Sequence, residues 1–214
     1  MAQSKPIKKE NKDMWDYSDP NSEKEGVGQR GWYKMICDYI YDGESILDVG
    51  CSMGRQHFRF IEKNPSKLVG VDASRKALDA SKPLSENHHF YHIDDLDKNE
   101  KFDVVTSIDV IEHVIEDIDF LETCFSMTKR MMFIATPNLN FSNVGKFHCR
   151  EYNPQELEIL FKTVCPNSQI MYAAWSGLNM LNHNTKRLHF VPTFEGEDKI
   201  FGAQLLGVFV WKKG

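Results

Sequence analysis

Ser45-Ile-Leu-Asp-Val-Gly-Cys-Ser-Met-Gly-Arg55 is an apolar run that breaks into a turn bracketed by Gly50 and Gly54. The run predicts a buried β-strand, the glycines a tight turn and the residues beyond them a helix. A strand that ends this way can bring bare backbone N–H groups against a ligand at the carboxyl edge of a parallel sheet. A second apolar run, Leu68-Val-Gly-Val71, ends in Asp72. That carboxylate follows Gly50 by about twenty residues, the separation at which a ribose finds an acceptor for its hydroxyls. A third run, Phe102 to Ile108, passes into Asp109-Val-Ile-Glu-His-Val114, a turn crowded with acids and a histidine. Three such strand ends in order imply one shared crevice.

The chain around these runs alternates strand and helix. Trp32, Met35, Ile36, Tyr39 and Ile40 fall at helical intervals and Asp42-Gly43 supplies the stop. Phe58, Phe60 and Ile61 predict a helix that ends near Asn64-Pro65. Ser74 is a natural N-cap for a short helix ending near Pro83. His88 to Ile93 reads as a third strand, Phe102 to Ile108 as a fourth and Met131 to Ala135 as a fifth, with a helix carrying Ile118, Leu121 and Phe125 before the fifth. Asn153-Pro154-Gln155-Glu156 places a capping residue, a proline at N1 and an acid at N3 ahead of Leu157, Leu160 and Phe161. Gln169 to Trp175 and Gln204 to Trp211 are the last two strands, joined by a long irregular connection. The expected fold is therefore α/β, a doubly wound, mostly parallel seven-stranded sheet with helices on both faces.

With 214 residues, 41% of them hydrophobic, the chain suits one domain with a sizeable core. Residues 1–25 are polar and charged and read as a flexible arm, leaving residues 26–214 as a single domain. A net charge of −5 offers no global positive field for a phosphate backbone and disfavours nucleic acid as partner, although Lys146, His148 and Arg150 with Lys186 and Arg187 make a local basic patch. The five cysteines are widely spaced and never form C-x-x-C, so they read as free thiols in a reducing compartment. No apolar leader and no membrane-length apolar run is present, and the expected location is cytoplasmic.

Ile46-Leu-Asp-Val-Gly-Cys-Ser-Met-Gly54, Val69-Gly-Val-Asp-Ala-Ser74, Phe102-Asp-Val-Val105 with Asp109-Val-Ile-Glu-His-Val114, and Met132-Phe-Ile-Ala-Thr-Pro-Asn138 resemble the motifs of class I S-adenosylmethionine-dependent methyltransferases. The resemblance runs from about Gly31 to the C-terminus and implies a Rossmann-like sheet with S-adenosylmethionine as cofactor. It assigns Asp48, Gly50, Cys51, Ser52 and Gly54 to the methionine end and Asp72 to the ribose diol. Ile93 with Asp94 or Asp95 is assigned to the adenine, and Ala73 and Ser107 add contacts. Ser52 departs from the family, which has a second glycine there; serine permits a tight turn if its φ stays negative. A dinucleotide-dependent dehydrogenase needs G-x-G-x-x-G, and Gly50-Cys-Ser-Met-Gly54 lacks two of those three glycines.

Asp109, Glu112 and His113 fall at i, i+3 and i+4, which on a helical turn would place them on one face, with His148 as a fourth member. The run resembles the acid-x-x-Glu-His pattern of ubiquinone-pathway O-methyltransferases and of small-RNA 3′-end 2′-O-methyltransferases. The segment His148 to Leu157 is similar to the one after the fifth strand in both groups; in the RNA group the first acid is normally Glu rather than Asp. Two carboxylates and two imidazoles can hold a divalent cation, and His113 or His148 can instead serve as general base toward a hydroxyl acceptor. The expected function is methyl transfer to a small-molecule acceptor, at oxygen. The alternatives are a metal-assisted RNA 2′-O-methyltransferase and a cofactor-binding partner protein without turnover. Specificity is expected in residues 1–44, 137–152 and 176–203, where Trp15, Tyr17, Trp32, Tyr33, Phe141, Phe147, Phe190 and Phe194 can wall a pocket.

Overall fold

The apolar runs pair into one sheet whose two faces are both covered, which is why β1 (Ser45–Val49) is buried at every position and reads as continuous rather than alternating. The structure is a computed structural model that describes residues 27–139, 147–176, 187–194 and 203–213. The expected arm, residues 1–25, lies outside the described residues. In chain order the elements are α1 (Val27–Ile36), β1, α2 (His57–Ile61), β2 (Lys67–Asp72), α3 (Arg75–Asp79), β3 (His88–His92), β4 (Phe102–Ile108), α4 (Asp117–Met127), β5 (Thr128–Pro137), α5 (Pro154–Val164), β6 (Gln169–Ser176), β7 (Arg187–Val191) and β8 (Ala203–Trp211).

The strand order is β3-β2-β1-β4-β5-β8-β6-β7. The first five strands pair in parallel, and β8 inserts antiparallel between β5 and β6. The sheet therefore has eight strands, not the seven expected. The extra one, β7, pairs antiparallel with β6 from Tyr172↔Val191 to Ser176↔Arg187. It falls inside the segment expected to be an irregular connection. An edge strand has only one neighbour, so Arg187-Leu-His-Phe-Val191 can alternate polar and apolar residues and lacks the apolar density that marks a central strand.

Alternation along the strands sends side chains to two layers. Leu47, Val49, Val69, Val71, Val105, Met132 and Ile134 pack with Leu121, Cys124 and Met127 of α4 and Leu157 and Phe161 of α5. Ile46, Leu68, Val104, Met131 and Phe133 pack with Trp32 and Ile36 of α1 and Phe60 of α2. Asp48 and Gly70 share the parity of Ile46 and Leu68 and so lie on the α1/α2 face. Asp48 is in register with Gly70, and Gly70 with Phe90.

Local signals were followed closely at the helix starts. Ser74 accepts a hydrogen bond from the Ala77 amide at 3.1 Å, although α3 ends at Asp79, before the expected stop at Pro83. Asn153 and Glu156 form a reciprocal capping box with Pro154 inside the first turn of α5. All five cysteines are free thiols. No helix among the described residues is long and apolar enough to cross a membrane.

Candidate functional site

The order β3-β2-β1-β4-β5 reverses direction at β1, so the carboxyl ends of β1, β2 and β4 open on one crevice at the switch point. The turn after β1 is built from three left-handed residues, Gly50 (φ 77), Ser52 (φ 50) and Gly54 (φ 66). Ser52 thus makes its tight turn with a positive φ, not with the negative φ on which the sequence reading made that turn conditional. What compensates is the carboxylate of Asp72, whose Oδ2 accepts from the Ser52 amide at 2.7 Å and Oδ1 from the Ser74 amide at 2.8 Å. A Cβ on Gly50 would stand 2.2 Å from Val110 Cγ2, so packing as well as backbone shape demands glycine.

The turn does not present the row of bare amides expected of it. Gly50 and Cys51 donate to the Val71 carbonyl at 2.7 and 3.0 Å, Gly54 donates to the Cys51 carbonyl at 2.9 Å, and Ser52 is taken by Asp72. With four of its five amides already bonded within the protein, the turn contributes mainly shape, and most of the chemistry around it comes from acceptors. That suits a ligand rich in donors and positive charge better than a phosphate.

Asp72 ends β2 partly buried, and burial raises its pKa, outweighing the amide donors that act to lower it. The Ala73 carbonyl accepts from His92 Nε2 at 3.0 Å, which ties the ends of β2 and β3 together. Ile93, Asp94 and Asp95 form a 3-10 turn after β3; Ile93 packs on the core while Asp94 and Asp95 are exposed. Asp48 is fully buried, its Oδ2 accepting from the Tyr33 hydroxyl at 2.7 Å and from His57 Nε2 at 2.8 Å. Ser107 is also fully buried. Among the described residues, Asp48 Oδ1, Ser107 Oγ and Asp109 Oδ1 are buried without a hydrogen-bond partner, an unusual concentration of acceptors at adjoining strand ends.

Asp109 does not share a helical face with Glu112 and His113. It sits at the end of β4 in the left-handed region (φ 56), and only Ile111–His113 forms a 3-10 turn. The Asp109 side chain is hydrogen bonded by Gln29 of α1, and burial raises its pKa. Glu112 is raised well above the usual range by burial and then by Asp109; its Oε2 accepts from Thr136 Oγ1 at 3.1 Å. The group that does assemble is Glu112, His113 and His148, one ligand atom from each lying within 4.8 Å of the others.

Backbone contacts bring His148 there. Asn138 bridges Tyr152, and the Glu112 carbonyl accepts from the amides of Cys149 at 2.7 Å and Arg150 at 3.1 Å. The two imidazoles lie edge to face, 4.9 Å between centroids. His113 Nδ1 donates to the Phe147 carbonyl at 3.1 Å and His148 Nδ1 to Glu151 Oε1 at 2.9 Å, which leaves the basic lone pair of each neutral ring on Nε2. Burial, partly offset by the Phe147 carbonyl, holds the His113 pKa below its ordinary value.

Of the aromatics expected around a substrate, Trp32 is fully buried against Phe133, Tyr33 is spent on Asp48, Phe194 packs at a tilt against Tyr172 and Phe190 is half-exposed beside Tyr39. Trp15, Tyr17 and Phe141 lie outside the described residues, as do Lys146 and Lys186 of the basic patch. Arg150 is paired with Asp117.

The sequence model of the "Methyltransferase domain" family matches residues 20–189, well over half of the chain. The chain belongs to that methyltransferase domain family. A ubiquinone biosynthesis O-methyltransferase of Bradyrhizobium diazoefficiens is 27% identical over 143 residues, covering 61% of this chain and 56% of that protein. Another, of Nitrobacter winogradskyi, is 32% identical over 109 residues, 47% of this chain and 41% of that protein. The chain thus spans about half the length of these curated relatives. Magnesium protoporphyrin IX methyltransferase of Synechocystis PCC 6803, solved with bound SAH, superposes with a TM-score of 0.63 at 11% identity over 94% of each chain, and shares the fold.

Sequence reasoning passed over Gln29, His57 and His88 in this candidate site and gave Tyr33 another place, as a wall of the substrate pocket. Gln29 and the hydroxyl of Tyr33, at i and i+4 on α1, reach Asp109 and Asp48; their spacing was the available signal. His57 and His88, at the base of the turn, carried none, because their ring partners lie on other elements and nothing in their own stretches of sequence points to them.

Proposed function

We propose that this chain transfers a methyl group from S-adenosylmethionine to a hydroxyl of a small-molecule acceptor. The observation that carries the reading is the meeting of Asp48, Asp72 and Asp109 at three adjoining strand ends, around a turn four of whose five amides are already bonded within the protein. Buried acceptors without protein partners fit a ligand that brings an amine, a ribose diol and a sulfonium, and fit a nucleotide phosphate poorly. S-adenosylmethionine supplies an electrophilic methyl group. Gly50, Cys51, Ser52 and Gly54 shape its methionine end with Asp48 beneath them, Asp72 takes the ribose diol with Ala73 beside it, Ile93 with Asp94 or Asp95 takes the adenine, and Ser107 closes the floor. The names of the curated relatives support oxygen as the methylated atom and a small molecule as its bearer.

The acceptor's hydroxyl proton passes to Nε2 of His113 or His148, each held in the required tautomer by a partner at Nδ1. Alignment of acceptor and donor in a closed crevice supplies the rest of the acceleration. Residues 26–214 act as one catalytic unit in this reading, since every described strand joins the same sheet.

A second reading has its own observation. Glu112, His113 and His148 together can hold a divalent cation, which would make the transfer metal-assisted and bring an RNA 3′ end into range as acceptor.

Calorimetric titration with S-adenosylhomocysteine tests the cofactor assignment: micromolar binding by wild type, weakened at least tenfold by Asp72→Ala, is expected. The base is read from kcat/KM against pH. Activity should be full above the ordinary imidazole range and fall as pH drops through a value below 6.5, because the His113 pKa is lowered. His113→Asn should abolish that limb. Retained activity in EDTA supports the base reading, and loss of activity restored by Mn²⁺ selects the metal. Cofactor binding with no product on any acceptor would leave a binding protein without turnover.

A further inference from the structure

His57 takes no part in the chemistry described above, yet it is fully buried at the foot of the Gly50–Gly54 turn. Its amide donates to the Gly54 carbonyl at 3.0 Å, and its ring reaches back under the turn to Asp48 at 2.8 Å. One residue thus ties, through its amide and its ring, the two ends of the segment that contains the turn's three left-handed residues.

The direction of every proton in this array follows from one backbone amide. The Leu84 N–H can only donate, and it donates to His88 Nδ1 at 3.0 Å. Neutral His88 therefore carries its proton on Nε2 and donates it to His57 Nδ1 at 2.8 Å. His57 then carries its own proton on Nε2 and donates it to Asp48 Oδ2, which also accepts from Tyr33. Asp48, His57 and His88 are all at most 1% exposed, so water does not supply a competing partner.

The sheet is cut to receive the ring. Asp48, Gly70 and Phe90 are lateral neighbours on β1, β2 and β3, and a Cβ on Gly70 would stand 2.7 Å from His57 Cε1 and 2.8 Å from Cys51 Sγ. Phe90 stacks on the imidazole at 5.4 Å and 7°. The ring is held between a gap in one strand and an aromatic face on the next, with both nitrogens bonded.

We propose that His57, ordered by His88, is the positioning residue of the Gly50–Gly54 turn, and that its Nε2–H bond to Asp48 holds the turn in the shape that receives the cofactor. The inference rests on the functional reading above. It makes tautomer, rather than bulk or charge, the property that matters at position 57.

Two amides separate these properties. Glutamine places a donor near the Nε2 position, and asparagine places one near the Nδ1 position. S-adenosylhomocysteine affinity should stay within about threefold of wild type in His57→Gln and fall by roughly tenfold or more in His57→Asn, the scale of one buried hydrogen bond to a charged group. The acceptor KM should be unchanged in both. Nitrogen–proton correlation spectra of the wild type should show both rings as Nε2–H tautomers. Equal affinities for the two variants, or either ring in the Nδ1–H form, would overturn the proposal. If His57→Asn does not fold, His88→Leu takes its place: it leaves the His57–Asp48 pair and removes the ordering donor, so weaker binding is expected and unchanged affinity overturns the idea. Failure of the wild type itself to bind overturns the functional reading and this inference with it; normal wild-type binding with indifferent variants overturns this inference alone.

Discussion

Replacing Gly54 with alanine imposes two separate penalties, and Gly43 provides a control that imposes one. Both glycines are left-handed, with φ of 66° and 85°. An alanine in that conformation costs roughly 1–2 kcal/mol. At Gly43 the new Cβ meets nothing within 4 Å, so the backbone penalty stands alone. At Gly54 it would lie 2.6 Å from Cε1 and Cζ of Phe90 and 2.9 Å from His57 Nδ1. Neither ring can retreat cheaply: they are stacked on each other, and His57 is fixed at both nitrogens. Overpacking of this kind costs about 1–3 kcal/mol. The loss of unfolded-chain freedom on replacing glycine is common to both variants and cancels in the difference. Gly54→Ala should therefore be less stable than Gly43→Ala by about 1–3 kcal/mol, or roughly 2–12 °C in Tm for a domain of this size. Gly43 precedes β1, at the opposite edge of the sheet from the crevice, so only Gly54→Ala should lose affinity for S-adenosylhomocysteine. Thermal unfolding and calorimetric titration of the two variants decide it. Equal Tm losses, or wild-type affinity in Gly54→Ala, would refute the packing argument.

Two further outcomes follow from single residues. Burial, followed by the neighbouring His57 and His89, pushes the His88 pKa down to about 4, so below pH 6.5 the unfolded chain binds a proton that the folded chain refuses. Its contribution is complete above pH 6.5 and is lost as pH falls toward 4, with a slope approaching about 1.4 kcal/mol per pH unit; urea unfolding at several pH values should show that slope in wild type and a shallower one in His88→Leu. Asn153→Ala removes one half of the capping box on α5 and should cost about 1 kcal/mol, seen as a Tm lower by roughly 2–4 °C with cofactor affinity unchanged.

The legible parts of this protein were those written in adjacent residues. Continuous apolar runs marked β1, β2 and β4, glycines marked the turn, and Ser74 and Asn153 announced the helices they cap, because strand burial, turn chemistry and capping act over a few residues. Asp72 was legible from its distance to Gly50, since one βαβ unit sets that spacing. The histidine pair of the candidate site was visible only as chemistry; Asp109 was misplaced beside it because a helical turn was assumed where β4 ends in a left-handed residue.

The succession of strands along the chain up to β5, the turn and the acids at the strand ends were thus determined by the sequence on its own. Tertiary structure decided the positive φ of Ser52, the pairing of β7, the meeting of Glu112 and His113 with His148, and the proton order from Leu84 to Asp48. Each of these depends on contacts that join separate elements of the fold. A carboxylate on β2 holds Ser52, an edge strand exists only against its neighbour, and His57 acquires one tautomer only because His88 on β3 faces its Nδ1. Local propensity is silent on such matters because the same residues, without those partners, have other conformations of nearly equal energy.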